Sequence, residues 1–263
     1  MAYQNFQQHM IDVVNLTKVY RGKPAVVAVA GLSFRVEPGH VLGLVGPNGA
    51  GKTSTLRAIA GIIPPTEGSI SIAGVDMKSR PVEAKRRLAY VPDDPKLFDA
   101  LTVWEHIEFS ASVYQVNDYR ARGEALLVLF ELTEKRDALA QELSRGMRQK
   151  LALCCAYLHD PAAIMLDEPM TGLDPRGIRT MKESVRERAA SGAAVIISSH
   201  LLALVEDLCT HLLIVHKGTG LYFGSASGAR DAYDGLSEDA SLEDVFFRAT
   251  EGTPLFEAAP PEP

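Results

Sequence analysis

At 263 residues, with 46% apolar and 23% charged content, the chain can bury a large core and sits at the upper size of one domain, or of one domain with an inserted lobe. A net charge of −6, with only short basic clusters at 85–87 and 145–150, argues against a nucleic-acid face. No window approaches the ~18 consecutive apolar residues that span a bilayer, and the N-terminus lacks the regions of a secretion signal, so the chain reads as cytosolic or held at a membrane by another protein.

Taken in chain order, residues 11–16 and 25–36 are β-rich and flank the turn Tyr20-Arg21-Gly22-Lys23-Pro24. The apolar run 40–45 then leads into Gly46-Pro47-Asn48-Gly49-Ala50-Gly51-Lys52-Thr53, and a helical run starts at Ser54. Strand, glycine-rich turn and helix in that order cradle phosphates: loop amides and the helix start point at the anion, with the helix dipole behind them. Lys52 would reach the β- and γ-phosphates, and the Thr53 hydroxyl would bind Mg²⁺. Residues 46–54 are therefore the candidate nucleotide-binding set.

After a break at 64–68, residues 69–73 alternate as a strand and 88–91 form another. From 102 to 160 the pattern turns helical, with Val103, Ile107 and Val113 expected on one face and Leu126, Leu127, Leu129 and Phe130 on another. The apolar runs 162–166 and 193–197 suit parallel strands covered on both faces. Residues 212–215 and 221–223 close as a hairpin around Gly218-Thr219-Gly220. Ser241 opens an amphipathic segment, and the proline-rich, acidic residues beyond it are expected to fray. Cys154, Cys155 and Cys209 lack C-x-x-C spacing and read as buried, reduced thiols. The fold class is α/β, a P-loop core interrupted by a helical lobe.

Asp167-Glu168-Pro169 closes the run Ile164-Met165-Leu166, where ligands bind in such sheets. Asp167 is placed to hold Mg²⁺, and Glu168 to polarise a water attacking the γ-phosphate. Leu143-Ser144-Arg145-Gly146 leads into a helix with Ser144 as its N-cap, which taken locally is only a helix start.

The P-loop, Leu143-Ser144-x-Gly146, Asp167-Glu168-Pro169, Thr171-Gly172-Leu173-Asp174-Pro175 and Ser198-Ser199-His200, in that order, resemble the ATP-binding subunits of ABC transporters, over roughly residues 10–225. The resemblance implies a mixed-sheet core with an antiparallel β subdomain, a helical subdomain inserted at about 95–160, and a C-terminal helix and tail over 226–263. It implies an ATPase using Mg²⁺, with Lys52, Glu168 and His200 catalytic and His200 contacting the γ-phosphate. Two such domains pair head to tail, so Ser144 and Gly146 would bind the ATP held by the partner's P-loop, with Asp174 in the seam. Tyr20 matches the aromatic that stacks on adenine; a core tyrosine is the other reading.

The implied partners are a transmembrane permease and a second ATP-binding subunit, identical or paralogous, with the chain peripheral on the cytoplasmic face of the inner membrane and the pump of exporter type. The rival is a soluble ATPase of the same fold acting on nucleic acid or ribosomes; such relatives carry long coiled-coil inserts or two ATPase domains, and neither is present. Three positions depart from the family pattern. Asp93 stands for a glutamine that reaches Mg²⁺ and water, Arg145 for a glycine, and Met147 for a glutamine. Asp93 is expected still to sense Mg²⁺, with an altered hydrolysis rate. Leu97, Phe98 and Trp104 read either as a docking surface for the permease or as lobe core.

Overall fold

The computed structural model describes residues 9–200, 202–233 and 241–251. Alternating apolar and polar residues build a first, antiparallel sheet. β1 (Ile11–Tyr20) lies against β2 (Val26–Val36), with Ile11 opposite Val36 and Tyr20 opposite Val26. β1 outruns the expected strand because this pairing continues to the turn. β3 (Val41–Val45) and α1 (Lys52–Ile59) flank the glycine-rich loop. β4 (Glu67–Ile72) and β5 (Val75–Asp76) complete the sheet in the order β2-β1-β4-β5. α2 (Pro81–Arg86), a short helix without apolar periodicity, leads into β6 (Leu88–Val91).

The lobe comprises α3 (Val103–Tyr114), α4 (Tyr119–Leu129) and α5 (Arg145–Tyr157). Thr102 and Glu105 form a capping box that starts α3. Val103 and Ile107 are buried as expected, but Val113 is 54% exposed. Ten residues along a helix bring a side chain about 80° away from its starting direction, so the three never shared a face. Leu129 likewise turns outward while Leu126, Leu127 and Phe130 are buried. Trp104 belongs to the lobe core, its Nε1 donating to Glu108 and the Arg136 guanidinium lying 4.1 Å over its ring. Phe98 is exposed.

The remaining elements are β7 (Ala163–Asp167), α6 (Pro175–Ala190), β8 (Ala194–Ser199), α7 (Leu202–Val205), β9 (His211–His216), β10 (Thr219–Ser225), α8 (Gly228–Asp231) and α9 (Leu242–Glu251). A six-stranded sheet runs β10-β9-β3-β8-β7-β6, parallel except for β10. The hairpin turns at Lys217-Gly218, both with positive φ, so Thr219 and Gly220 begin β10 instead of forming the turn. Ser241 caps α9, its Oγ accepting from the Asp244 amide at 3.2 Å; of the tail expected to fray over 251–263, Glu251 instead ends α9 and 252–263 lie outside the described residues.

The period of two along each parallel strand sends side chains to opposite faces. Leu42, Leu44, Met165, Ile196 and Leu213 join a core with α1 and the antiparallel sheet. Val45, Ile164, Leu166, Val195 and Ile197 join a second core with the lobe, α6 and α9. Cys154 and Cys209 are buried and Cys155 half-buried, all as free thiols. Burial pushes Cys209 up to about 12 and Cys155 up to about 11.

Candidate functional site

β3 is buried along its length and delivers the loop at the sheet's carboxyl end. Gly46 and Ala50 are buried, and Pro47, Asn48 and Gly49 form an exposed crest between them. Gly51 takes φ 107°, and a Cβ there would lie 2.3 Å from the Ala28 carbonyl oxygen, so only glycine lets α1 start this close to β2. Lys52, the first residue of α1, is 7% exposed; its Nζ donates to the carbonyls of Gly46 at 2.7 Å and Pro47 at 3.3 Å. Burial lowers its pKa, while the carboxylates of Glu168 and Asp167 pull the other way. Thr53 is exposed on the same helical turn. Ser54 Oγ stands 3.2 Å from the Tyr20 hydroxyl. Tyr20 is 40% exposed, which sets aside the core reading and leaves the ring beside the P-loop helix.

Asp167 ends β7 almost fully buried. Ser198 Oγ donates to its Oδ1, and the Tyr90 hydroxyl donates to its Oδ2 at 3.3 Å. Burial, and then the charge of Asp167, raise the Tyr90 phenol pKa well beyond its ordinary value. Parallel pairing of β7 with β8 sets Asp167 beside Ser198. Glu168 follows with φ 48°, pinned by its amide, which donates to the carbonyl oxygen of Ser198 at 3.1 Å and to its Oγ at 3.2 Å. Its carboxylate reaches two nitrogen partners: Oε1 lies 3.7 Å from Lys52 Nζ, and Oε2 lies 2.8 Å from His200 Nδ1. The second contact requires the proton on Nδ1 of His200. Lys52, Asp167, Glu168 and His200 thus converge, joined by Ser198 and Tyr90, to which the sequence reading gave no role.

A second patch forms at the start of α5. Ser144 Oγ accepts from the Met147 amide at 3.3 Å. A Cβ on Gly146 would sit 2.7 Å from the Gly172 carbonyl oxygen, so the 171–174 loop dictates glycine there. Asp174 caps α6, accepting from the Gly177 amide at 2.9 Å. Arg145 lays its stem against Gly172, and its Nη2 donates to Asp93 Oδ1 at 3.0 Å. Ser144 and Gly146 therefore meet the 171–174 loop that carries Asp174, with Asp93 tied to this second patch through Arg145.

A family model described as ABC transporter matches residues 29–171. The chain belongs to that family. It is an ATP-binding subunit and an ATPase of the P-loop type, as the resemblance implied. It is 34% identical to the ABC-type transporter ATP-binding protein EcsA of Bacillus subtilis (strain 168), over 92% of this chain and 96% of the relative. It is 38% identical to the Nod factor export ATP-binding protein I of Burkholderia pseudomallei (strain 1710b), over 82% of this chain and 70% of the relative. Among solved structures, an ATP-binding subunit of an ABC transporter superposes with a TM-score of 0.86 at 33% identity, covering 92% of this chain and 99% of that one. The dimeric structure of MJ0796, a bacterial ABC transporter cassette, shares the fold with a TM-score of 0.76 at 22% identity, covering 82% of this chain and 99% of that one. ATP-binding subunits of this family dimerise and work with transmembrane partners.

Proposed function

We propose that this chain powers a separate transmembrane permease, with two ATP-binding subunits closing on two ATP molecules. The observation that carries the reading is Glu168, held between Lys52 and His200 at the mouth of the P-loop. Glu168 accepts a proton from the attacking water, His200 fixes that carboxylate and meets the γ-phosphate, and Lys52 turns from the loop carbonyls to the phosphates. Ser144, Gly146 and Asp174 serve the ATP of the partner subunit. Tyr20 stacks on the adenine.

The Thr53 hydroxyl and the Asp167 carboxylate are hard oxygen donors and fit Mg²⁺, which keeps water and phosphate oxygens as its other ligands. Among the described residues no cluster of three or more His, Cys, Asp or Glu competes as a metal site. When bound, Mg²⁺ neutralises charge on the phosphates.

No helix among the described residues is long and apolar enough to cross a membrane, which supports a peripheral position on the cytoplasmic face of the inner membrane, through the permease. Phe98 and Phe109, both exposed and meeting edge-on at 5.2 Å, offer the lobe's apolar docking surface. Export is the direction favoured by likeness to the Nod factor protein. The net charge of −6 weighs against the nucleic-acid alternative.

Glu168→Gln tests the reading. Turnover should fall by about 10²–10⁴-fold while ATP still binds, and the ATP-saturated variant should run as a dimer in light scattering. Normal turnover removes Glu168 as the base; a monomer at saturating ATP overturns the paired arrangement.

A further inference from the structure

Two of the three departures from the family pattern touch each other. Asp93 follows β6 and Arg145 opens α5, yet Nη2 of the arginine donates to Oδ1 of the aspartate at 3.0 Å. The contact is a single hydrogen bond between side chains 55% and 48% exposed, the kind of pair that water and salt weaken most. Meanwhile the arginine stem rests on Gly172, with Cδ 3.2 Å from where a Cβ would stand. The stem lies along Gly172, and one exposed hydrogen bond ties down the charged end. Arg145 also lies between Ser144 and Gly146, the pair read above as facing the partner's ATP.

We propose that Arg145 is a nucleotide-binding residue that changes partners during the cycle. In the separated subunit Asp93 parks the guanidinium. When two subunits close, Arg145 leaves Asp93 for the γ-phosphate bound to the other P-loop. A guanidinium matches phosphate oxygens through paired N–H donors, and a triphosphate carries several negative charges against the single one of Asp93. ATP therefore outcompetes the parking contact, and the aspartate raises the ATP level at which closure occurs. This inference rests on the composite-pocket reading above.

The test uses the full chain in the Glu168→Gln background, with the ATP concentration for half-maximal dimerisation read by light scattering. Arg145→Ala should raise that concentration about tenfold, the worth of one charge-assisted hydrogen bond. Asp93→Ala should lower it by about two- to fivefold, since a competing exposed pair is lost. The exchanged pair, Asp93→Arg with Arg145→Asp, should raise it at least as far as Arg145→Ala, since a carboxylate then faces the triphosphate. A fixed tether between loop and helix gives a different pattern: both single variants weaken closure and the exchange restores it, which overturns the proposal. An Arg145→Ala variant that closes at the background ATP level overturns it equally. Thermal melts establish that each variant folds, with Arg145→Gln as the second choice at that position. A background protein that never dimerises overturns the composite pocket itself, and with it this inference, and is told apart from the other failures because it needs neither substitution.

Discussion

Glu168 holds a left-handed backbone that costs a non-glycine residue about 1–3 kcal/mol, and two hydrogen bonds from its amide to Ser198 keep it there. The strain aims the carboxylate back at Lys52 and His200, where a relaxed extension of β7 would carry it on along the strand. A different residue records its burial in stability. His159 stacks on Tyr114 with ring centroids 3.7 Å apart, and burial lowers its pKa from 6.5 to about 4, against the opposing pull of the Leu88 backbone and Asp160. Below pH 6.5 the unfolded chain takes up a proton that the folded one refuses, so stability falls as pH drops from about 6.5 to about 4, by up to about 3 kcal/mol. Denaturant melts across that range should show a shallower loss for His159→Phe than for the parent; equal slopes would remove His159 as the cause. The P-loop, Asp167 and Glu168 were legible because their chemistry sits in short consecutive motifs, and His200 only through the family resemblance. Ser198 and Tyr90 were not, because their role depends on which strands lie side by side.

Elements were read best where one periodicity dominates. The parallel strands appeared within a residue or two of their observed ends, since a run buried on both faces has no polar interruption. α6 went unmarked although Ile178, Met181, Val185 and Ala189 carry the spacing of an amphipathic helix, because Asp174 and Pro175 were read as a motif and not as its cap and first turn. The contact between α5 and the 171–174 loop could not be read from sequence at all: it is a backbone approach, visible only as the missing room at Gly146. Gly146→Ala must push that loop away from Ser144. We expect turnover to fall at least about tenfold with equilibrium ATP binding unchanged, as measured by ATPase rate and nucleotide titration. Full turnover in the variant would show that the close approach serves packing alone.

For the molecule as a whole, the exposed Phe98–Phe109 pair sets the expected route of force. Phe98→Asp should abolish co-purification with the permease and permease-stimulated turnover, leaving ATP binding by the isolated chain intact. If ATP binding is lost to the same extent, Phe98 serves the fold and not docking. The sequence could not choose between core and docking for Trp104 and Phe98, because both follow the same apolar pattern and only the packing of α3 separates them.

The six-stranded sheet also has a genetic corollary. Lys52 is carried by a helix on one of its faces and Ser144 by a helix on the other, so a lesion in either leaves the other's support intact. If each pocket takes Lys52 from one subunit and Ser144 from its mate, mixed pairs obey a cis–trans rule. Two faulty subunits, one defective at each position, still assemble one sound pocket, whereas a doubly defective subunit mated to a normal one assembles none.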